Sequence, residues 1–333
     1  MDVHESLSSS FTPGPRGLGA LIEAMRPTHW VKNAFVLAPI LFAGAFGQWD
    51  AWWRCLLAVA AFNLLASGVY LLNDLCDRDA DRAHPDKRFR PLASGRLSPE
   101  SAVIAAMFLF PAGLALAVLP GLWLLHPNQP LGGMGAVVWA GAYLLLNLLY
   151  TFRLKRYAVI DVILVALGFV LRAMAGAAAI AVPISPWLVI CTFTLCLFLA
   201  LAKRRAELTE LPAAARDARQ ANREYTVENL DFMLIVATAL ALTSYALYCL
   251  APATVHRIGS AHMIWTIPLV MYGVFRFVRV GRRIHKGDIA AVLFADTVLW
   301  WVVLLYVVLS AAIIRYGAHP AVRDVLDSHV ISS

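Results

Sequence analysis

Residues 52–81 read WWRCLLAVAAFNLLASGVYLLNDLCDRDAD, and this stretch decides the fold class. Its first two thirds are almost entirely apolar and, at about 20 residues, long enough for a helix that crosses the ~30 Å hydrocarbon core of a bilayer. Similar runs recur along the chain, in which 60% of the 333 residues are hydrophobic and 15% are charged. Soluble domains carry about 25% charged residues. We therefore predict an all-α, polytopic membrane protein.

The apolar runs predict nine membrane-spanning helices. We place them at residues 33–47, 52–72, 101–125, 133–151, 159–181, 187–202, 231–251, 262–278 and 290–314. No soluble domain fits between them, so residues 21–315 are predicted to form one transmembrane domain. The polar residues 1–20 are predicted to be a flexible cytoplasmic tail without the apolar core of a signal peptide, and residues 316–333 a short C-terminal tail.

The basic residues are distributed unevenly. Most of the 28 Lys and Arg residues fall in the N-terminal segment and in the loops after the even-numbered helices, whereas opposite loops such as 126–132 and 183–186 are nearly uncharged. The positive-inside rule then puts the N-terminus on the cytoplasmic side of the cell (inner) membrane. An anionic leaflet facing these loops accounts for the net charge of +7 without a nucleic-acid partner.

The segment after the second predicted helix carries four residues suited to binding a metal ion: Asn73, Asp74, Asp77 and Asp81. If the helix continues out of the membrane, residues four apart share one face and the carboxylates stack. Stacked carboxylates repel one another unless a cation lies between them. Mg²⁺ prefers oxygen ligands and commonly joins one or two carboxylates to substrate phosphates. We predict an Mg²⁺ site facing the cytoplasm, with these residues as its ligands and catalytic groups.

An alternative for this segment is a solvated acidic cap that Arg78 and Arg82 neutralise, although their helical positions point away from Asn73 and Asp77. The basic run 87–90 follows closely. Metal ligands followed by several cations favour a site for a polyphosphate ester, because Lys and Arg bind the phosphate oxygens that the metal leaves.

Charged residues are also expected where charge is costly. Arg172 lies halfway along the fifth predicted helix with Asp161 at its start on nearly the same face, Asp296 lies inside the ninth, and Lys32 precedes the first. Intramembrane ionisable groups usually face a polar cavity or a partner. For Asp296 a functional role and an internal ion pair are both open, whereas ligand binding is favoured for Arg172 and Lys32.

The motif NDxxDxxxD after the second of nine helices resembles that of the UbiA superfamily of membrane prenyltransferases, and the resemblance covers residues 21–315. Many members carry a second aspartate-rich motif after the sixth helix. Here Lys203, Arg204 and Arg205 stand in that place. The resemblance therefore implies one metal cluster instead of two, and a cation cluster that would suit an additional phosphate.

The stretches RPTHWVKN at 26–33, YTFRLK at 150–155 and KRRAE at 203–207 resemble one branch of the superfamily. Members of that branch transfer 5-phosphoribose from phosphoribosyl pyrophosphate (PRPP) to a polyprenyl (decaprenyl) phosphate, for cell-envelope arabinan precursors. The resemblance implies PRPP, the polyprenyl phosphate and the lipid bilayer as partners, and Mg²⁺ as cofactor. The predicted substrate-binding residues are Lys32, Tyr70, Lys87, Arg90, Arg153, Lys155, Arg172, Lys203, Arg204 and Arg205.

Two other functions stay open. The first is transfer of a prenyl group from its diphosphate to an aromatic or other small acceptor, against which the missing second aspartate motif argues. The second is a lipid transporter without chemistry, in which inverted repeats and helices broken near the midplane are common. No clear repeat is present, and the charges gather at one membrane face. The sequence also leaves open whether the chain forms a homo-oligomer.

Overall fold

The computed structural model describes residues 16–84, 87–122, 134–210, 220–281, 296–317 and 319. Within these ranges the chain is helical and contains no strand. The α-helices are α1 Leu18–Met25, α2 Ala38–Phe42, α3 Trp49–Cys76, α4 Arg78–Ala83, α5 Pro99–Leu122, α6 Gly135–Phe152, α7 Ile160–Ala179, α8 Pro186–Glu210, α9 Val227–Leu250, α10 Pro252–Ile258, α11 Ile267–Gly281 and α12 Thr297–Tyr316. Helix α1 begins at Leu18, inside the segment predicted as a tail, and residues 1–15 and 320–333 of the predicted tails lie outside the described ranges.

Eight of the described helical segments are long and apolar enough to cross a bilayer: α3, α5, α6, α7, α8, α9, His262–Val280 and α12. Large apolar side chains cover their outer faces, and Phe108 and Ile235, for example, are 74% and 69% exposed. A contiguous apolar surface of this extent is unfavourable in water, whereas the hydrocarbon core of a bilayer would solvate it. The chain is therefore a multi-pass membrane protein.

The first predicted helix, residues 33–47, differs from the prediction. A 3₁₀ helix, Pro27–Leu37, leads directly into the short α2. Pro39 has no N–H to donate to the carbonyl of Phe35, which disfavours a continuous α-helix at this point, whereas proline is well tolerated in the first turn of a new helix. Gly44, at φ +69°, follows the end of α2. The predicted first span is thus a broken segment.

Small residues bring this broken segment close to the bundle. The 3₁₀ helix packs on α3 and α7, and α3 also packs on α5 and α6. Ala58, Ala61, Ala140 and Ala175 are almost fully buried in this contact region. Small side chains let membrane helices approach closely. The close packing holds the 3₁₀ helix Pro27–Leu37 against α3 and α7.

We expect Gly176→Ala to destabilise the protein by about 3 kcal/mol, as overpacking of a tight interface does. A Cβ at Gly176 would lie 1.9 Å from the carbonyl oxygen of Val36, and a backbone atom cannot move aside as a flexible side chain can. Thermal unfolding of the purified protein in detergent measures the effect. Gly141→Ala is the matched control, since nothing lies within 4 Å of its Cβ position. Equal unfolding midpoints for the two variants would contradict this packing.

Candidate active site

The acidic segment spans the junction of α3 and α4. Asp77 separates the two helices, but its N–H donates to the Asn73 carbonyl oxygen at 2.9 Å, and the Asp81 N–H donates to the Asp77 carbonyl oxygen at 2.8 Å. The helical hydrogen-bond pattern therefore continues through the junction. As predicted, Asn73, Asp77 and Asp81 follow one another at intervals of one turn.

Lys155 contacts two of the four motif residues. Its Nζ lies 2.5 Å from Asp77 Oδ1 and 3.1 Å from Asn73 Oδ1. The Asn73 amide nitrogen also donates to Asp77 Oδ2 at 3.1 Å. Lys155 comes from the 3₁₀ turn Leu154–Arg156 between α6 and α7. Two oxygens of the motif thus converge on one cationic nitrogen.

Arg26 and Arg90 contact the other two motif residues. Arg26 Nη2 lies 2.5 Å from Asp74 Oδ1, and Arg90 Nη1 lies 3.2 Å from the same oxygen and 2.7 Å from Asp81 Oδ2. The two carboxylates are buried, with side chains 2% and 5% exposed. Burial raises the pKa of Asp81, and Arg90 opposes this rise. A second pair of oxygens therefore converges on Arg90.

This geometry disfavours the solvated acidic cap. Arg82 donates instead to the Ala93 carbonyl oxygen at 3.1 Å and contacts Asp79 Oδ1 at 3.4 Å. Asp79, with its side chain 93% exposed, is the solvated carboxylate of the segment. Asp74 and Asp81 are buried, Asp77 is partly buried, and all three are paired with cations from outside the acidic segment.

The donor set fits a hard divalent cation. Asn73 and Asp77 present two oxygens to one point, and Asp74 and Asp81 present two oxygens to another. Among the residues that the structure describes, no three His, Cys, Asp or Glu side chains come together as a metal cluster. Mg²⁺ does not need one, because it is commonly held by one or two carboxylates and keeps its other positions for water and substrate phosphates.

The predicted cation cluster at the end of α8 is paired with carboxylates. Arg204 is buried, and its Nε and Nη1 donate to Asp161 Oδ2 at 2.7 Å and to Glu207 Oε2 at 2.5 Å. Lys203 Nζ lies 4.0 Å from Glu207, and Arg205 binds Asp231 at the start of α9. These acids offset much of the positive charge that the sequence suggested, so Arg204 in particular faces the protein interior.

Arg172 lies deep in the bundle among neutral groups. Its Nε donates to Asn33 Oδ1 at 2.7 Å, its Nη2 to the Tyr143 hydroxyl at 2.9 Å, and its Nη1 to the Gly168 carbonyl oxygen at 2.9 Å. The guanidinium also lies over the rings of Tyr143 and Phe169, at 4.5 and 5.0 Å from their centroids. Cation–π contacts stabilise a desolvated cation. Arg172 thus joins the 3₁₀ helix Pro27–Leu37 to α6 and α7, and Asp161 pairs with Arg204 instead.

The remaining predicted substrate-binding residues are Tyr70, Lys32, Lys87 and Arg153. The Arg26 guanidinium lies 5.0 Å from the centroid of the Tyr70 ring. Lys32 and Lys87 are partly buried, and Arg153 is exposed where α6 ends.

Asp296 lies at the N-cap of α12, not inside a helix as predicted. It accepts the Leu299 N–H at 2.9 Å and pairs with Arg276 of α11 at 3.0 Å. The sequence left a functional role and an internal ion pair open for Asp296, and the structure shows the ion pair.

The prediction of site residues did not include Arg26. Its only signal was its place in the stretch RPTHWVKN, on which the family resemblance partly rested. Local periodicity could not have found it, because Arg26 and Asp74 are 48 residues apart and meet only when the first segment packs on α3.

Comparison with known proteins places this geometry in a family. The sequence profile described as the UbiA prenyltransferase family matches residues 34–303. A decaprenyl-phosphate phosphoribosyltransferase of Mycolicibacterium smegmatis is 35% identical over 252 residues, covering 74% of this chain and 76% of the relative. Another from Corynebacterium glutamicum is 36% identical, covering 70% of this chain and 68% of the relative.

Solved structures agree on the fold. A UbiA homologue from Archaeoglobus fulgidus, bound to GPP and Mg²⁺, superposes with a TM-score of 0.62 over 89% of this chain and 99% of that chain, at 18% identity. At that identity the likeness concerns the fold alone. The family match, which spans most of the chain, and the similar relatives agree with it. The chain belongs to the UbiA prenyltransferase family.

Proposed function

We propose that the protein transfers 5-phosphoribose from PRPP to a polyprenyl (decaprenyl) phosphate and releases pyrophosphate. The observation that carries this proposal is the convergence of Asn73 and Asp77 oxygens on Lys155, with Arg26 and Arg90 on the neighbouring carboxylates. Oxygen ligands bordered by cations suit a diphosphate that arrives with a divalent metal. The similar relatives named as decaprenyl-phosphate phosphoribosyltransferases support PRPP as its donor.

Asn73 and Asp77 would hold Mg²⁺, with Asp74 and Asp81 as further or water-mediated ligands. The bound ion would stabilise the negative charge that develops on the departing pyrophosphate. Lys155, Arg26 and Arg90 neutralise the carboxylates in the present structure. Once the donor is bound, these cations can turn to phosphate oxygens, with Lys32, Tyr70, Lys87 and Arg153 as further contacts around the ribose and phosphates.

The acceptor lipid would use the apolar part of the bundle. A cavity of about 310 Å³ lies between the broken first segment and helices α8, α9, α11 and α12. Phe35, Phe42, Leu195 and Val274 are among its predominantly apolar lining. The Phe35 ring contacts the ring of Phe169, over which the Arg172 guanidinium lies, so an isoprenoid tail in this cavity would start beside that cation. The acidic motif and its cations would lie at the cytoplasmic face of the inner membrane, where the positive-inside rule puts the basic loops.

The lipid phosphate would attack ribose C1 as the diphosphate leaves. A phosphate monoester has a second pKa of about 6 and is already an anion at neutral pH, so the reaction does not need a dedicated base. The side chains act mainly by holding two anionic substrates close together and in line. Lys203, Arg205 and Arg172 are proposed to bias the site towards anions by their charge.

The test supplies the purified protein with labelled PRPP and a polyprenyl phosphate, with Mg²⁺ or with a chelator. We expect label to enter the lipid phase with Mg²⁺ and to fall to background with the chelator. Label that appears only with a prenyl diphosphate and an aromatic acid would favour prenyl transfer. If neither pair of substrates gave a product, both transferase functions would be contradicted and a transporter would be favoured.

A further inference from the structure

The loop between α6 and α7 contains a strained turn at Val159. Its φ is +67° and its ψ is −47°, and the Ile160 N–H donates to the Ala158 carbonyl oxygen at 2.7 Å. These values describe a γ-turn with positive φ, which is rare and strained. A β-branched residue seldom adopts positive φ, so neighbouring groups must hold it there. Strain of this kind concentrates at functional sites.

A chain of buried hydrogen bonds holds the turn. The Val159 N–H donates to the Tyr225 hydroxyl oxygen at 2.6 Å, and that hydroxyl donates to Asp161 Oδ1 at 2.8 Å. The other oxygen of Asp161 accepts from Arg204 Nε at 2.7 Å. Tyr225, Asp161 and Arg204 are all 6% exposed or less. The chain joins the α6–α7 loop to the end of α8 and to the residue before the N-cap of α9.

The direction of these hydrogen bonds is fixed by protonation. Burial, and after it the Asp161 carboxylate, raises the pKa of Tyr225 well above its ordinary value. The phenol therefore keeps its proton and donates it to the carboxylate, and its oxygen accepts the Val159 N–H. A buried donor or acceptor left without a partner is unfavourable in free energy. Removal of the Tyr225 hydroxyl would leave the Val159 N–H without this acceptor and would destabilise the turn.

The strained turn is connected to the acidic motif through Lys155. Lys155 precedes Val159 by four residues and reaches both Asn73 and Asp77. The residues between them are tied by backbone hydrogen bonds, from Tyr157 N to Leu154 O at 3.3 Å and from Asp161 N to Tyr157 O at 3.1 Å. A change of conformation at Val159 would therefore move the turn that carries Lys155.

We propose that Tyr225 is a positioning residue that holds the Val159 turn and so sets the place of the Lys155 ammonium against Asn73 and Asp77. The buried Asp161–Arg204 pair keeps Tyr225 in place. The role in catalysis rests on the proposed function, which gives Lys155 a substrate phosphate to bind. Arg204 then supports the site from inside the protein and does not touch the substrate.

The first test uses Tyr225→Phe, which removes one oxygen, in the full-length protein without Mg²⁺ or substrates. Mass spectrometry would follow acetylation of Lys155 by acetic anhydride. Lys155 is paired with Asp77 in the intact loop, and we expect its labelling rate to rise severalfold in the variant. Tyr316→Phe is the control, since its side chain is exposed at the end of α12. Thermal unfolding checks that each variant is folded.

The second test is a double-mutant cycle on the transfer reaction. Tyr225→Phe should lower kcat/KM for PRPP about tenfold, which is the usual order for a lost buried hydrogen bond. In a Lys155→Ala background the same change should cost less than about twofold, because residues that act through one another are not additive. A purely structural role would give equal losses in both backgrounds.

The outcomes separate the two proposals. Unchanged Lys155 labelling in folded Tyr225→Phe, or additive losses in the cycle, would overturn the positioning role. Absence of transfer by the wild-type protein would overturn the proposed function, while the labelling rate would still decide whether Tyr225 positions Lys155.

Discussion

Asp77→Ala is expected to lower kcat/KM for PRPP by about a thousandfold, and saturating Mg²⁺ is not expected to restore it. The Asp77 carboxylate and the Asn73 amide each direct one oxygen at the Lys155 ammonium, and we propose that the same two oxygens bind Mg²⁺. A metal that stabilises charge on a transferring phosphate is worth several kcal/mol, and a thousandfold loss corresponds to about 4 kcal/mol. Steady-state transfer of labelled ribose into lipid, measured over a range of Mg²⁺ concentrations, gives the value.

Asp79→Ala is the matched control for this variant. It removes a carboxylate two residues away whose side chain is 93% exposed and faces Arg82. We expect its turnover to stay within about twofold of the wild-type value, as for most exposed surface substitutions. Near wild-type turnover of Asp77→Ala at saturating Mg²⁺ would contradict a metal site at Asp77.

Lys155→Met should have opposite effects on two measurements. We expect kcat/KM for PRPP to fall about a hundredfold, because the variant loses a charge-assisted contact to a phosphate in a partly buried site. In the substrate-free protein, however, Mg²⁺ should bind more tightly than in the wild type. The Lys155 ammonium lies 2.5 Å from Asp77 Oδ1 and competes for the oxygens that the metal would use. Calorimetric titration with Mg²⁺ measures the second effect.

Arg156→Met controls for the loss of one positive charge in the same turn. Arg156 is exposed, whereas Lys155 is partly buried against the acidic motif. Its Mg²⁺ affinity and turnover are expected to stay close to the wild-type values. Weaker Mg²⁺ binding in Lys155→Met would show that the lysine supports the metal site instead of competing for it, and would contradict the proposed exchange of partners.

Local patterns predicted the helical register of the acidic segment. A helical continuation of α3 gives Asn73, Asp77 and Asp81 a common register, and the backbone hydrogen bonds across Asp77 preserve it. The length and apolarity of the runs also predicted a helical membrane protein. These features depend on neighbours within a few residues, which is the range at which a sequence determines geometry directly.

The partners of the motif were beyond that range. Lys155 lies 78 residues from Asp77, and Arg204 lies 43 residues from Asp161. A count of cations at 203–205 could not show that Asp161, Glu207 and Asp231 would pair with them. Val159 gave no signal either, since valine is an unfavourable choice for positive φ and its N–H is held by Tyr225, 66 residues away.

Transfer of phosphoribose is measured most directly by following two labels in one reaction with Mg²⁺ and polyprenyl phosphate. PRPP would carry a carbon label in the ribose and a phosphorus label in the diphosphate. We expect the ribose label to enter the lipid phase while an equal amount of the phosphorus label is released to water as pyrophosphate. Phosphorus label in the lipid, or no ribose label there, would contradict transfer of phosphoribose to the polyprenyl phosphate.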